Sequence, residues 1–200
     1  MTPELKKFII ERSTGTSGVL LDSLSEEIFQ MYMRDLNSST IREAITILVP
    51  GYTLLGGKLG RDGIDTANNR AKEAKPKLYT GHPTNGGGCF NDYTRERLNK
   101  DVHDNLDIVH SLFVGDRLVY IMEFNIDAIK IKLDKQIHIH CEEGNQKYVR
   151  SASWTYADWI HHDSTKIHYI DYDQININKK CINKPMQNAI QGIAMLKFLI

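Results

Sequence analysis

An acidic residue followed by a Glu-x-Lys triplet lies in the first half of the chain and has the residue types needed for metal-assisted hydrolysis. Glu73 and Lys75 are two positions apart, so on a strand their side chains point to the same face. Asp65 or Asp62 precedes them across a turn at 67–69, and a hairpin would bring one aspartate against Glu73. Two adjoining carboxylates repel each other unless a cation lies between them, and oxygen ligands suit Mg²⁺. With the ammonium of Lys75 holding a water beside the metal, the set could hydrolyse a phosphodiester.

The same triplet also fits a surface hairpin held by salt bridges. Such spacings arise easily in a chain of which 25% is charged, and exposed ion pairs are common. The other triplet of this kind, Glu4-Leu5-Lys6, has no acid before it. Residue types alone leave both interpretations open and do not choose between Asp65 and Asp62.

The segments around the triplet predict helices first and mostly antiparallel strands afterwards. Hydrophobic periodicity and capping residues predict helices at 3–12, 20–36, 40–49 and 183–200, with a short one within 91–104. Alternation predicts strands at 70–79, 107–114, 117–125, 136–140 and 147–151. This order indicates an α+β (mixed α/β) fold with a central, mostly antiparallel or mixed sheet flanked by helices. The second helix is expected to use one apolar face, comprising Leu20, Leu21, Leu24, Ile28, Met31 and Tyr32.

Composition narrows the class of protein. Two hundred residues with 41% hydrophobic content predict one domain over 1–200, made of a helical part (1–50), a sheet (56–150) and a C-terminal part (151–200). Twenty-five Lys and Arg balance 25 Asp and Glu, which excludes a histone-like binder but permits a local basic groove. Three scattered cysteines, no apolar run of about 18 residues and no signal-like N-terminus predict a cytoplasmic protein without a membrane partner.

Residues 60–65 (Gly-Arg-Asp-Gly-Ile-Asp), followed by Glu73-Ala74-Lys75, resemble the metal site of the PD-(D/E)xK nucleases. They are most similar to type II restriction endonucleases of the PvuII-like branch. The run 106–123 also resembles the strand pair that follows the site in that group, so the resemblance spans about residues 58–130. Two departures are the short spacing between Asp65 and Glu73 and the proline at position 76, which cannot donate to a strand ladder.

The resemblance implies a restriction-endonuclease-like core and a function. It implies a Mg²⁺-dependent enzyme that hydrolyses double-stranded DNA at a short palindromic site, with Asp65 and Glu73 as metal ligands and Lys75 as a catalytic residue. Asp62 is held as a second catalytic acid. The resemblance further implies a prokaryotic or viral homodimer joined through its N-terminal helices, with a DNA methyltransferase of the same system as a partner.

Two segments have side chains suited to contacting DNA. Three glycines at 86–88 would allow close backbone approach, and neighbouring donors could bind purine edges or phosphates. A second segment, 151–163, combines two tryptophans with polar residues, although the tryptophans could equally fill the core and the glycines form a flexible surface loop. The DNA-binding candidates are Asn85, Asn91, Arg95, Arg97, Ser153, Tyr156 and His161.

Other features leave further alternatives open. His138 and His140 would share a strand face and, with Cys141 and the His161-His162 pair, raise the possibility of a zinc-stapled binding module without catalysis. A repair or recombination nuclease on the same core is another alternative. Glu43 is either an extra acid near the metal or part of a capping box with Thr40. Lys72 and Lys77 could meet phosphates or face water.

Overall fold

The computed structural model describes residues 1–18, 21–56, 61–178 and 180–197, with side chains up to residue 193. The helices are α1 (Pro3–Thr14), α2 (Ser23–Arg34), α3 (Thr40–Leu48), α4 (Arg95–His103), α5 (Asp127–Ile137), α6 (Tyr172–Ile177) and α7 (Lys184–Lys197). A π-helical turn (His138–Glu143) and a 3₁₀ turn (Tyr156–Asp158) add to these. The strands are β1 (Thr53–Leu54), β2 (Gly63–Asp65), β3 (Arg70–Leu78), β4 (Gly88–Tyr93), β5 (Asp107–Val114), β6 (Arg117–Asn125), β7 (Val149–Trp154) and β8 (Lys166–Ile170).

The main sheet has six strands in the order β1-β2-β3-β5-β6-β8. β3 and β5 are parallel, and every other neighbouring pair in this sheet is antiparallel. β4 and β7 form a separate antiparallel ribbon. This arrangement of a mixed sheet with flanking helices confirms the predicted α+β fold.

Apolar side chains cover both faces of the main sheet. One cluster joins residues of α1, α2 and α3 to β5 and β6, and includes Ile9, Met33 and Ile45. A larger cluster on the opposite face joins α5, α7 and the β4–β7 ribbon to the same two strands. β5 and β6 are buried along nearly their whole length, which is why they read as near-continuous apolar runs.

Several local predictions are confirmed. The Thr2 hydroxyl accepts a hydrogen bond from the Leu5 amide, with Pro3 opening the first helix. The β5–β6 hairpin turns at Gly115, whose φ of +60° suits glycine. The predicted strand at 70–79 is β3, and the predicted helix at 40–49 is α3.

The prediction of a strand at 136–140 is wrong, because α5 and the π-helical turn occupy this region. The sequence Gln136-Ile-His-Ile-His140 alternates like a strand. In the helix, however, Ile129, Leu133 and Ile137 are buried at a four-residue spacing, while Ile131 is 85% exposed. Strand β8 and helix α6 were not predicted.

The prediction for the packing face of the second helix is also wrong. α2 buries Phe29 and Met33 against α1 and α3. Leu20 lies outside the described residues, as do the last three positions of the predicted closing helix. Of the expected apolar face, Leu21 is half-buried against the core, whereas Leu24, Ile28, Met31 and Tyr32 are exposed on the surface.

Within the described ranges, none of the helices has the length and apolar character required to cross a membrane.

Candidate active site

The register of the β2–β3 hairpin determines which aspartate lies beside Glu73. Asp65 pairs with Arg70 and Gly63 pairs with Lys72, so Asp62 lies opposite Glu73. The Asp62 amide donates to the Lys72 carbonyl at 3.1 Å, and the Asp62 carboxylate accepts from the Ala74 amide at 2.8 Å. The expectation that Asp65 packs against Glu73 is therefore corrected: the hairpin brings the second candidate, Asp62, to this place.

Asp65 instead stabilises the turn between the two strands. Its carboxylate accepts hydrogen bonds from the Ala67 amide (3.0 Å) and the Asn68 side chain (2.9 Å). This is the local bonding by which an aspartate fixes a tight turn. Both oxygens of Asp65 are thus bonded within the turn, away from Glu73.

Glu73 and Lys75 contact each other on the same face of β3, as the spacing predicted. The Lys75 ammonium lies 2.9 Å from Glu73 Oε1 and 5.1 Å from the centre of the Phe90 ring on β4. The other oxygen, Glu73 Oε2, is buried, lies 3.9 Å from the Arg61 guanidinium and makes no hydrogen bond among the described residues. Glu73 is therefore held between two cations with one acceptor atom free to take a further ligand.

The proximity of Asp62 and Glu73 affects the pKa of Asp62. Burial, together with the negative charge of Glu73, raises the pKa of Asp62 to about 6, although the hydrogen bond from the Ala74 amide opposes this. Glu43, on the facing helix α3, adds to the same effect. A bound cation would relieve the repulsion between these carboxylates.

The residues present fit a magnesium ion. In the part of the chain that is described, no cluster of three or more His, Cys, Asp or Glu side chains is arranged to hold a metal ion. Mg²⁺ is commonly held by one or two carboxylates together with water and substrate phosphates. Asp62 and Glu73 would supply those carboxylates, and the buried, unbonded Glu73 Oε2 is an oxygen acceptor that a metal would satisfy.

Asp62→Asn and Asp65→Asn are expected to change stability in opposite directions when EDTA keeps the protein free of metal. Because the pKa of Asp62 is raised to about 6 from its ordinary 3.8, its contribution to stability falls as the pH rises from about 4 to about 6. The melting temperature of Asp62→Asn should therefore be higher than that of wild type at pH 8 and equal to it near pH 3.5. Hydrogen bonds from Asn68 and Ala67 lower the pKa of Asp65, so Asp65→Asn should melt below wild type at pH 8. Thermal melting at the two pH values measures both, and an unchanged Asp62→Asn melting temperature at pH 8 would contradict the proximity of the carboxylates.

Glu43 is close enough to Asp62 to affect its ionisation but is bonded elsewhere. Its carboxylate accepts from the Ser39 hydroxyl, and α3 begins at Thr40 with Ser39 as the N-cap residue. The capping box expected between Thr40 and Glu43 does not form, because Ser39 rather than Thr40 occupies the N-cap position.

The glycines at 86–88 pack inside the protein, which corrects their interpretation as a backbone surface for DNA or a flexible surface loop. Trp159 donates to the Gly86 carbonyl at 3.0 Å, and His110 Nε2 lies 3.1 Å from the Gly87 carbonyl. Burial lowers the pKa of His110 to about 3, so this imidazole is neutral. A Cβ at Gly88 would lie 2.5 Å from the Trp154 ring, so glycine is needed there for close packing.

The DNA-binding candidates are spread over five places, of which the glycine loop and the β4–β7 ribbon hold four residues. Asn85 and Tyr156 belong to the anchored glycine loop: the Asn85 side chain accepts from Gly87, and its carbonyl accepts from the Tyr156 amide. Asn91 and Ser153 are exposed on the β4–β7 ribbon, where Asn91 pairs with Ser151 and Cys89 with Ser153. Trp154 and Trp159 fill the core, as one of the two interpretations held.

The remaining candidates lie apart from the ribbon. Arg95 forms ion pairs with Asp134 and Glu142 on the surface of α5 and the π-helical turn. Arg97 donates to Asp101 at 2.9 Å and faces the same side of β3 as Glu73. His161 is exposed in the segment before β8. Arg97 is therefore the one DNA-binding candidate that the fold brings close to the Glu73 carboxylate.

Two of the histidines considered for zinc, His138 and His140, lie on helical backbone. His138 and His140 are exposed on the π-helical turn, where His138 Nδ1 lies 2.7 Å from the Glu142 carboxylate. The expectation that they share a strand face is wrong for the same reason as the strand at 136–140. Their side chains face solvent, and His138 is paired with a carboxylate on its own turn.

A buried charge network on the opposite face of β3 was missed by the sequence reasoning. Lys72 is 1% exposed, and its ammonium lies 2.8 Å from Asp107 and 3.2 Å from Glu123. Tyr52 donates to Glu123, and His168 Nε2 lies 3.2 Å from it. The expectation that Lys72 meets phosphates or water is thereby corrected. A signal existed, because Asp107 and Glu123 are carboxylates inside otherwise apolar strands and need a buried cation.

Burial alone would raise the pKa of Glu123. Hydrogen bonds from His168 and Tyr52 and the charge of Lys72 outweigh that effect and lower the pKa to about 2. The carboxylate of Glu123 is therefore ionised at every pH at which the protein would be handled.

Comparison with protein-family models gives no match, and comparison with curated proteins gives none either.

Proposed function

We propose that the protein is a Mg²⁺-dependent endonuclease that hydrolyses phosphodiester bonds in double-stranded DNA at a short palindromic site, as a type II restriction enzyme does. The observation that carries the proposal is the convergence of Asp62, Glu73 and Lys75 at one end of the β2–β3 hairpin. Asp62 is bonded to the backbone of the strand that carries the other two, and Lys75 contacts Glu73 at 2.9 Å. A surface salt-bridged hairpin would not account for a half-buried second carboxylate beside Glu73 with a raised pKa.

Each residue of the set has a chemical task. Asp62 and Glu73 would hold the metal, which when bound supplies a Lewis acid and lowers the pKa of a coordinated water. Lys75 orients the attacking water through its ammonium and offsets the negative charge that develops on the phosphorus oxygens. The position of the Lys75 ammonium over the Phe90 ring, 5.1 Å from its centre, limits the places that the ammonium can take. Arg61 lies 3.9 Å from the second oxygen of Glu73, so the carboxylate has a cation on each side.

The proposed enzyme is a homodimer, as cleavage of both strands of a palindrome requires two sites related by a twofold axis. The exposed apolar side chains of α2 support this, because exposed clusters of large apolar residues are typical of interaction surfaces. They include Leu24 and Met31, which are 64% and 66% exposed. A DNA methyltransferase that modifies the same site belongs to this proposal as a partner.

The first experiment is a digest of unmethylated phage DNA with the purified protein, in Mg²⁺ and in EDTA. Discrete bands that depend on Mg²⁺ are expected, and sequencing of the fragment ends would give the site. A matched lane with Glu73→Gln protein controls for contaminating nucleases.

Other outcomes would reject the proposal in distinct ways. A Mg²⁺-dependent smear would indicate a nuclease without sequence choice. Intact linear DNA together with cleavage of branched or nicked duplexes would indicate a repair or recombination enzyme. Intact DNA of every form would reject catalysis on DNA altogether.

A further inference from the structure

A cleft beside the candidate active site has basic side chains at four of its eight lining positions. It has a volume of about 680 Å³ and lies between the β2–β3 turn and α4. Arg61, Arg97, Lys100 and His103 line it together with Asn69, and the one acidic residue among its lining side chains is Asp104. We call it the α4 cleft.

The α4 cleft opens on the same side of β3 as Glu73. Ala71 forms part of its lining, and side chains two positions apart on a strand share a face at a separation of about 6.6 Å. A DNA strand carries one phosphate per nucleotide, and consecutive phosphates along the backbone are separated by a distance comparable with this one. A strand with one phosphate at Glu73 and Lys75 would therefore bring a neighbouring phosphate to the cleft.

Two of the basic side chains are held in place by one buried carboxylate. Asp101, whose side chain is fully buried, accepts from Arg61 at 2.5 Å and from Arg97 Nε at 2.9 Å. Its other oxygen accepts from the Tyr93 hydroxyl at 2.8 Å. Guanidinium groups fixed in this way bind an anion with little loss of side-chain freedom.

Basic groups in the α4 cleft still have free hydrogen-bond donors after these contacts. The bond to Asp101 uses only the Nε of Arg97, which leaves its two terminal nitrogens for another acceptor. Lys100 makes no ion pair or side-chain hydrogen bond with any described residue. His103 is 89% exposed and contacts only Asp104, at 3.3 Å. An anion with several oxygens, such as a phosphodiester, matches these donors.

We propose that the α4 cleft binds a backbone phosphate of the DNA strand that is cut, next to the phosphate at Glu73 and Lys75, with Arg97 and Lys100 as its main contacts. This inference rests on the proposed nuclease function, because it assigns the path of the substrate at the same site. The contact is with the backbone, so it adds affinity for every sequence and does not select the site.

The test measures duplex DNA binding in EDTA at several KCl concentrations, using Glu73→Gln protein so that no cleavage occurs. Each phosphate contact contributes about 0.9 to the slope of log K against log salt. Arg97→Gln/Lys100→Gln is expected to weaken binding about tenfold at low salt and to reduce the slope by about 1. The matched control Lys130→Gln/Lys135→Gln removes two exposed lysines from α5, outside the cleft, and should leave the slope unchanged.

Thermal melting of the double variant and a second, single variant distinguish the loss of a phosphate contact from the loss of the fold. If the double variant melts well below wild type, the exposed Lys100→Gln change alone carries the test, with an expected slope change of about 1. An unchanged slope, or an equal loss in the α5 control, overturns the inference. Weaker binding of inorganic phosphate without any change in DNA binding would also overturn it. A wild-type protein that binds with the expected slope but never cuts DNA would reject the nuclease function and not the cleft.

Discussion

Glu73→Gln is expected to abolish Mg²⁺-dependent cleavage while leaving the fold and DNA binding in place. Glutamine keeps the size of Glu73 but removes the charge that would hold the metal between it and Asp62. A metal ion contributes several kcal/mol of transition-state stabilisation, so the rate should fall about 1,000-fold or more. Single-turnover cleavage of a duplex carrying the mapped site measures the rate, and a gel shift in Ca²⁺ or EDTA measures binding.

The two aspartates provide the matched control for this prediction. Asp62→Asn should lose cleavage to a similar extent, because Asp62 is the carboxylate that the hairpin places beside Glu73. Asp65→Asn should keep cleavage within a few fold, because the Asp65 oxygens are bonded within the turn. Equal losses in both variants, or loss only in Asp65→Asn, would overturn the assignment of Asp62.

Lys75→Met separates the role of the ammonium from that of packing. Methionine keeps an apolar stem near the Phe90 ring but cannot orient water or neutralise charge. Cleavage should fall about 100-fold or more, which is typical when a single group that stabilises transition-state charge is removed. Activity near wild type would show that Lys75 has no part in the reaction.

Lys72→Met is expected to destabilise the protein by about 3–5 kcal/mol, the range seen when one partner of a buried ion pair is removed. The substitution leaves Asp107 and Glu123 buried, with their charges less fully compensated. Urea unfolding at pH 7 measures the change, and the midpoint should fall without a change in slope. The loss should shrink below about pH 4, because stability from the lowered pKa of Glu123 is present above its ordinary 4.5 and is lost as the pH falls towards about 2.

Lys166→Met is the control, since Lys166 approaches the same carboxylate from the surface. Its ammonium is 3.5 Å from Glu123, and its side chain is 56% exposed. An exposed ion pair contributes at most about 1 kcal/mol, so this variant should unfold close to wild type. If Lys72→Met costs no more than Lys166→Met, the network contributes little to stability and the role given to Lys72 fails.

The parts of the fold that the sequence predicted are those with local signals. Thr2 and Pro3 mark a helix start, and Gly115 between two apolar runs marks a hairpin. Alternation failed at 136–140, where the pattern fits both a strand and a helix and only tertiary packing buries Ile137 and leaves Ile139 exposed. For α2, the choice between two apolar faces was made by contacts with α1 and α3 that are distant in sequence.

The candidate site was predictable to the level of residue types but not of register. Glu73 and Lys75 share a face because strands alternate, and this needs no knowledge of neighbours. The choice between Asp62 and Asp65 depends on how many residues the turn takes up. The Asp65 carboxylate accepts hydrogen bonds within that turn. Because the turn takes up the four residues 66–69, Asp65 pairs with Arg70. The α4 cleft could not be predicted from the sequence, because it is formed by a turn and a helix that are separated by about 30 residues along the chain.

The two charged faces of β3 have a consequence for how the strand is aligned. Lys72 lies among Asp107 and Glu123 on one face, while Glu73 lies with Lys75 on the other. A slip of one residue would exchange these faces and bury the Glu73 carboxylate beside Asp107 and Glu123. Three buried carboxylates without the lysine between them are strongly unfavourable, so the slipped chain would not stay folded. A molecule that has folded has therefore already placed Glu73 and Lys75 on the side where Asp62 meets them.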